Sequence, residues 1–386
     1  MAPQNMGAFL VAAKARPLDV REAPYPVPGP GEIVVKNAAV ALNPIDYIKQ
    51  SLGNFLYSHI KYPFITGCDV AGVVVDVGPD VTRFKVGDRV VGNALGMEKK
   101  HNKSSMCGFQ LYTVLLAKMT SPVPESISLA RAAVIPLGLS TASCGLFQKD
   151  QLGLRHPSPS RPQQENEAPE VVLIWGGSSS VGCNAIQLAT AAGYQVVTTC
   201  SPKNFDLVRS LGAKAAFDYG SKTVVDDVVR ECRAMGGVVA GAMSIGTGAA
   251  EACVDVLGAC GDGPGSNRFV SMISYPNPPD PDAGVAARIL YFMRWSASMW
   301  LRTTRHGVKT KFVWGASLED NEVGKLVYED FLPAALRDGV FVPAPDPQII
   351  GTDLGAIQDG LDMLKKGVSA AKLVVLLDAA EGAGVN

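Results

Sequence analysis

Two hydrophobic rhythms divide the chain. Up to about Leu129 the apolar positions fall in short Val-rich runs, Glu32 to Val40, Val70 to Val77 and Arg89 to Val91, broken by Gly, Pro and Asp. That is the pattern of strands joined by turns, and it predicts an antiparallel, β-rich unit. From Ala130 the pattern becomes an alternation of helices and buried strands. It predicts a helix over Arg131–Gln148, a strand over Val171–Trp175, a helix over Asn184–Ala192, a strand over Gln195–Cys200, and helices near Asn204–Leu211 and Val224–Met235. Strand and helix in alternation predict a doubly wound α/β unit around a parallel sheet. A strand near Thr310–Trp314, a helix over Glu322–Arg337, a strand around Val340–Val342 and the closing run Ala371–Leu377 then lead back to the first unit.

Composition sets the outer bounds. The 386 residues suit two domains, and 47% hydrophobic content is enough for two cores. A net charge of −1 without a basic stripe predicts neither a nucleic-acid nor a membrane partner. Eight cysteines without a Cys-x-x-Cys pair, and a start lacking a charged region followed by an apolar core, predict a cytoplasmic setting. Ala283–Leu301 is apolar and aromatic but carries Arg288 and Arg294, so it is read as a packed amphipathic helix and not as a membrane span. The polar, proline-rich stretch His156–Glu167 is expected to be a surface loop, and the Gly- and Pro-rich loops Gly261–Asn267 and Tyr275–Gly284 are expected to border a cleft.

Candidate chemistry begins where the strand Val171–Trp175 runs into Gly176-Gly177-Ser178-Ser179-Ser180-Val181-Gly182 and then a helix. A glycine turn on a helix N-terminus offers unpaired N–H groups and the positive end of the dipole, which suits a dinucleotide pyrophosphate. Gly176, Gly177, Ser178, Ser179, Ser180 and Val181 are therefore candidate cofactor-binding residues. Ser179 and Ser180 stand where a further glycine is expected, and a strand-to-helix turn without a ligand is the competing reading.

The next strand ends in Cys200-Ser201-Pro202-Lys203-Asn204, with no Asp or Glu at the place where an acid would hold a ribose 2′-hydroxyl. Ser201 offers a hydroxyl and Lys203 a cation, a pair that suits a 2′-phosphate and so NADPH over NADH. Lys203 as a solvated, turn-capping lysine is the alternative.

Five ordered motifs carry a family resemblance: Glu22–Pro30 leading into Gly31-Glu32-Ile33-Val34-Val35, Ala41-Leu42-Asn43-Pro44-Ile45-Asp46, Gly67-Cys68-Asp69-Val70-Ala71-Gly72, Val86-Gly87-Asp88-Arg89-Val90, and Pro136–Ala142. Together they resemble the medium-chain dehydrogenase/reductase superfamily, in its quinone-oxidoreductase branch and among the fungal ToxD-like and trans-acting enoyl reductases. The resemblance implies a GroES-like catalytic domain over residues 1–135 and 317–386 and a Rossmann domain over residues 136–316, with substrate held between them. It also implies that Asn43, Pro44 and Asp46 shape the loop beneath a nicotinamide, that Thr141 contacts the ring or its ribose, and that Tyr219 lies near the adenosine 2′-phosphate. Lys49 shares a helical face with Asp46 and is either a donor to an enolate oxygen or ribose hydroxyl, or a solvated lysine. Tyr219 is otherwise a half-buried core tyrosine, and Asn43-Pro44 with Asp46 a capped turn.

Alcohol dehydrogenases of that superfamily hold a catalytic zinc with a cysteine near the Asn43 position and a Gly-His-Glu motif. Here the motif reads Gly67-Cys68-Asp69, which does not assemble three ligands. The expected reaction is therefore metal-free hydride delivery from NADPH to an activated C=C bond in an enone, enal or enoyl thioester, small or carrier-bound. In enoyl reductases a tyrosine follows the Asn-Pro-x-Asp motif two residues after a glycine; here Gly53-Asn54-Phe55 puts phenylalanine there and Tyr57 comes two later, leaving Tyr57 or water as proton source. Two other classes stay open: an aldehyde or ketone reductase, and a nucleotide-binding scaffold that has lost catalysis. Relatives imply a megasynthase partner for some members, and include monomers and homodimers.

Overall fold

The protein is described by a computed structural model over residues 3–158, 169–236, 238–260, 265–276 and 284–378, with the backbone alone for Val285. It contains two compact units, Met1–Ser140 with Glu319–Asn386, and Thr141–Leu318. The first unit opens with strands β1 (Asn5–Leu10), β2 (Asp19–Ala23) and β3 (Glu32–Ala41), helix α1 (Pro44–Leu52), and strands β4 (Phe64–Ile65), β5 (Asp69–Val77), β6 (Arg89–Asn93), β7 (Tyr112–Leu116) and β8 (Thr120–Pro122). Helices α2 (Leu129–Ala132) and α3 (Pro136–Phe147) follow, the division between units falling inside α3. The second unit alternates β9 (Glu170–Trp175), α4 (Ser180–Ala191), β10 (Gln195–Cys200), α5 (Phe205–Ser210), β11 (Ala213–Asp218), α6 (Val224–Ala234), β12 (Val238–Ser244), α7 (Ala249–Cys260), β13 (Phe269–Met272), α8 (Val285–His306) and β14 (Lys309–Phe312). The chain re-enters the first unit with α9 (Glu322–Lys325), α10 (Leu332–Arg337), β15 (Pro347–Gly351), α11 (Ala356–Lys366) and β16 (Lys372–Leu376).

In the second unit six parallel strands lie in the order β11-β10-β9-β12-β13-β14, the doubly wound arrangement expected from the alternating pattern. Its central strands are buried on both faces, as the unbroken run Val171–Ile174 at 0% exposure shows, and Leu173, Val197, Val228, Val254 and Val270 share one core. The first unit holds a three-stranded sheet, β2-β1-β4, and a seven-stranded one, β15-β16-β3-β5-β6-β8 with β7 on β3. Its pairings are antiparallel except for β15 with β16, and its core joins Ile33, Val40, Leu42, Val70 and Phe109 to Ile357 and Leu373 from the returning segment. A β-rich GroES-like unit and a Rossmann unit are thus both present.

Several elements depart from the expectation. The helix expected over Arg131–Gln148 is two, because Ser128 caps α2 by accepting the Arg131 N–H at 3.3 Å and Pro136 opens a new helix. Glu322–Arg337 loosens into a π-helical turn over Leu326–Phe331, next to Pro333, which has no N–H to donate. Val340–Val342 forms no strand; buried Phe341 packs edge-on against Phe331, and the strand of this region is β15. The expected loops fall largely on Pro159–Ala168, Gly261–Pro264 and Asn277–Ala283, outside the described residues.

The segment read as a packed amphipathic helix is α8, packed on one face only. Trp295 donates to Glu251 at 2.8 Å and Met299 is buried, but Met293 and Trp300 are 63% and 66% exposed. Among the described residues one stretch, Leu129–Phe147, is long and apolar enough to cross a membrane by length and composition, and 83% of it is buried within the fold.

Candidate active site

The glycine turn owes its shape to close backbone approach. Gly176 sits at φ +87°, where L side chains are strained, and its N–H meets the Thr199 carbonyl at 3.1 Å. A Cβ on Gly177 would lie 2.1 Å from Thr198 Oγ1, and one on Gly182 2.3 Å from the Gly176 carbonyl oxygen. Only glycine fits at these contacts. Ser179, where a glycine was expected, is instead the N-cap of α4: its hydroxyl accepts the Gly182 N–H at 3.0 Å and donates to the Gly176 carbonyl at 2.8 Å. The N–H groups of Ser180 and Val181 have no intrahelical acceptor at this position, and the Ser180 hydroxyl is buried without a hydrogen-bond partner. The turn is therefore a cradle of donors at the positive end of a twelve-residue helix, and its chemistry fits a dinucleotide pyrophosphate.

Parallel pairing of β10 with β11, in register at Cys200 and Asp218, places the residues that follow each strand side by side. Ser201 Oγ and the Tyr219 hydroxyl stand 3.0 Å apart, and Tyr219 is 54% exposed, so it is no core tyrosine. Lys203 lies exposed in the 3₁₀ turn Pro202–Asn204. Asn204, not singled out from the sequence, donates to Ser178 Oγ at 3.2 Å and ties this turn to the glycine turn. An amide four residues beyond the strand was the available signal, since Asn serves turns and caps.

In the first unit the site residues gather at the head of α1. Asn43 is its N-cap and Pro44 its first residue, and the Asp46 carboxylate accepts the Asn43 N–H at 2.8 Å. Asp46 is 1% exposed, and its second oxygen is buried without a partner. Burial pushes this carboxyl up to about 7, with Asp69 adding to the rise and the hydrogen bond from the Asn43 amide, the charge of Lys372 and the nearby Gly67 amide dipole opposing it. Lys49 is not solvated. Its ammonium is fully buried, donating to the carbonyls of Gly53 and Leu56 at 3.0 and 2.9 Å and to the Tyr62 hydroxyl at 3.1 Å, and burial lowers its pKa. Tyr57 stands at φ +53° with its hydroxyl 3.3 Å from Glu98, and burial followed by Glu98 raises its pKa. Thr141, 9% exposed, belongs to the second unit, where Gly315 packs so closely that a Cβ there would be 2.4 Å from Thr141 Oγ1.

Comparison with known proteins places these features. Residues 29–125 match the alcohol dehydrogenase GroES-like domain family. The dehydrogenase pigH of Monascus ruber is 50% identical over 378 residues, covering 97% of this chain and 100% of that protein. The chain belongs to the medium-chain dehydrogenase/reductase superfamily. Also similar are the zinc-binding alcohol dehydrogenase domain-containing protein cipB of Emericella nidulans, at 42% identity over 97% of this chain and 98% of that one, and the trans-enoyl reductase himH of Aspergillus japonicus, at 38% over 98% of each. Membership makes the protein an oxidoreductase of a nicotinamide-dependent superfamily.

Within this medium-chain fold, the Gly67-Cys68-Asp69 motif forms a charge network. Cys68 is 6% exposed and burial pushes its thiol well up. Both Asp69 oxygens are taken, one by the Leu137 N–H at 2.7 Å, the other by Asn43 Nδ2 at 2.9 Å and Lys372 Nζ at 2.8 Å. Among the described residues no three His, Cys, Asp or Glu side chains gather into a metal-binding group.

Two variants test the geometry of this medium-chain protein. Ser179→Asp should keep the α4 cap but lose the donation to the Gly176 carbonyl, while its charge repels a pyrophosphate; Tm should fall by only about 2–4 °C and cofactor affinity by fluorescence at least about tenfold. Lys49→Met leaves buried carbonyls without donors, and should cost about 2 kcal/mol, or roughly 4–8 °C in Tm by calorimetry.

Proposed function

We propose that the protein is an NADPH-dependent, zinc-independent reductase of activated C=C bonds in an enone, enal or enoyl thioester. The cofactor preference is carried by one observation, the Ser201 and Tyr219 hydroxyls 3.0 Å apart at the ends of β10 and β11. With Lys203 exposed in the next turn and no carboxylate at the end of β10, the cluster offers two hydroxyls and a cation to a 2′-phosphate; Asp218, the acid that ends the neighbouring β11, has one oxygen occupied by the Gly220 N–H at 2.9 Å.

Bound there, NADPH supplies a hydride, and the chain's own groups supply orientation and electrostatics. The turn from Gly176 to Val181 holds the pyrophosphate, Pro44 and Asn43 shape the loop below the nicotinamide, and Thr141 meets the ring or its ribose. C=C reduction is favoured by the donor set at Cys68 and Asp69: with Asp69 engaged by Lys372 and Asn43, no residue group there offers a Lewis acid to polarise a carbonyl oxygen. Lys49 and Tyr57 are both engaged within the fold, Lys49 by carbonyls and Tyr57 by Glu98, so the proton at the α-carbon is drawn from water. The likeness to himH, a trans-enoyl reductase, supports an enoyl group as the class of natural substrate; a megasynthase carrier bearing it is part of this proposal.

NADPH oxidation against 2-hexenal should give the saturated aldehyde and survive chelator treatment. Allylic alcohol as product would assign a carbonyl reductase, zinc in stoichiometric amount would overturn the metal-free reading, and cofactor binding without turnover of enals, enones or enoyl thioesters would assign a nucleotide-binding scaffold. Lys203→Ala should raise the Michaelis constant for NADPH about tenfold, a loss of roughly 1.4 kcal/mol, with little change for NADH. Equal effects on both cofactors would remove Lys203 from the 2′-phosphate site.

A further inference from the structure

Lys372 lies 329 residues beyond Asn43 in sequence, yet their side chains meet. Pairing of β16 with β3, Val374 opposite Ala41, and of β3 with β5, Ala41 opposite Asp69, brings three strand ends to one point of the sheet. There the Lys372 ammonium, 4% exposed, bridges Asp69, 0% exposed, and the Asn43 side-chain carbonyl. Asn43 in turn donates its amide NH₂ to Asp69 at 2.9 Å and its backbone N–H to Asp46 at 2.8 Å.

We propose that Lys372 and Asp69 form an internal charge pair that fixes the Asn43 amide and balances the field on the Asp46 carboxyl, which makes both of them positioning residues for hydride transfer. The amide is fixed because a flipped Asn43 would turn its NH₂ toward the ammonium and its carbonyl toward the carboxylate. The field is balanced because Asp69 and Lys372 act on Asp46 with opposite sign. The other groups facing Asp46 are the Cys68 and Cys107 thiols, both raised by burial, and Tyr57, which carries Glu98 on its hydroxyl and His59 edge-on at 5.9 Å. These remain in every variant below, so their contributions cancel in the comparison. The reaction half of the inference rests on the reductase reading above.

The sign of the pH dependence follows from Asp46. Its carboxyl is held above the unfolded value, so the wild-type fold loses stability as pH rises through about 4 to 7, where the folded group ionises. Lys372→Met leaves Asp69 as a buried anion without its counter-charge, and its Tm should fall between pH 5 and pH 8 by about 5 °C more than that of wild type. Asp69→Asn keeps the shape and leaves Lys372 to favour ionised Asp46, so its Tm should fall less than wild type over the same range. The double variant removes both charges and should follow the wild-type slope. Parallel Tm curves for all four proteins would overturn the charge pair, and Asp69→Asn with the double variant decide it even where Lys372→Met does not fold.

For the reaction, Lys372→Met should lower kcat for NADPH oxidation about tenfold with the Michaelis constant for NADPH within about twofold, and Lys372→Arg should restore kcat. Altered slopes with unchanged kcat would overturn the positioning role. Absence of any wild-type turnover would remove the reaction half together with the reductase reading, while the Tm slopes still decide the pair.

Discussion

A lysine and an aspartate buried together destabilise a protein unless each is paired and every remaining donor and acceptor is met. That constraint organises the head of α1. Lys372 and Asp69 are brought together by three strands whose registers are mutually fixed, and the groups that complete their coordination are Asn43 and the Leu137 amide, both on segments the superfamily resemblance associates with the cofactor. Slipping β16 by one residue would turn Lys372 to the other face and leave Asp69 buried without its counter-charge. The polar network thus specifies the register of the sheet as well as the loop at its end.

The candidate residues of the two units, each taken by itself, sit in opposite electrostatic settings. Around Asp46 the charges are enclosed, so small changes in pairing are felt strongly. At the ends of β10 and β11 the groups are open to water; Tyr219 and Lys203 are exposed, so any charge there acts through a screened, hydrated setting. The first environment suits groups that must hold one geometry throughout a reaction. The second suits recognition of a ligand that arrives hydrated and leaves again.

The doubly wound unit was legible because a buried parallel strand and a glycine-led helix leave local signatures, and Val171 to Gly182 carried both. Ser201 and Tyr219 were legible as single residues, but their contact depends on the parallel register of two strands, which no local pattern encodes. Lys49 was read as solvated or donating because its helical face lies near Asp46; what captured it is the turn at Gly53–Leu56, whose carbonyls point back along the helix. Lys372 stayed hidden because a lysine at the start of a short apolar strand reads as a solvated end. The apolar, aromatic run Ala283–Leu301 with its two arginines marked a packed amphipathic helix, yet said nothing of how little covers the outer face of α8.

The place of β16 in the seven-stranded sheet bears on how the chain is made. This strand, near the end of the described residues, lies between β15 and β3, and its first residue neutralises Asp69 of the opening segment. During synthesis the Rossmann unit has all of its strands as soon as Phe312 has left the ribosome. The GroES-like unit, although begun first, must wait with an unpaired edge on β3 and an uncompensated carboxylate until Lys372–Leu376 emerges. Of the two units, the one whose strands come first along the chain is the last to close.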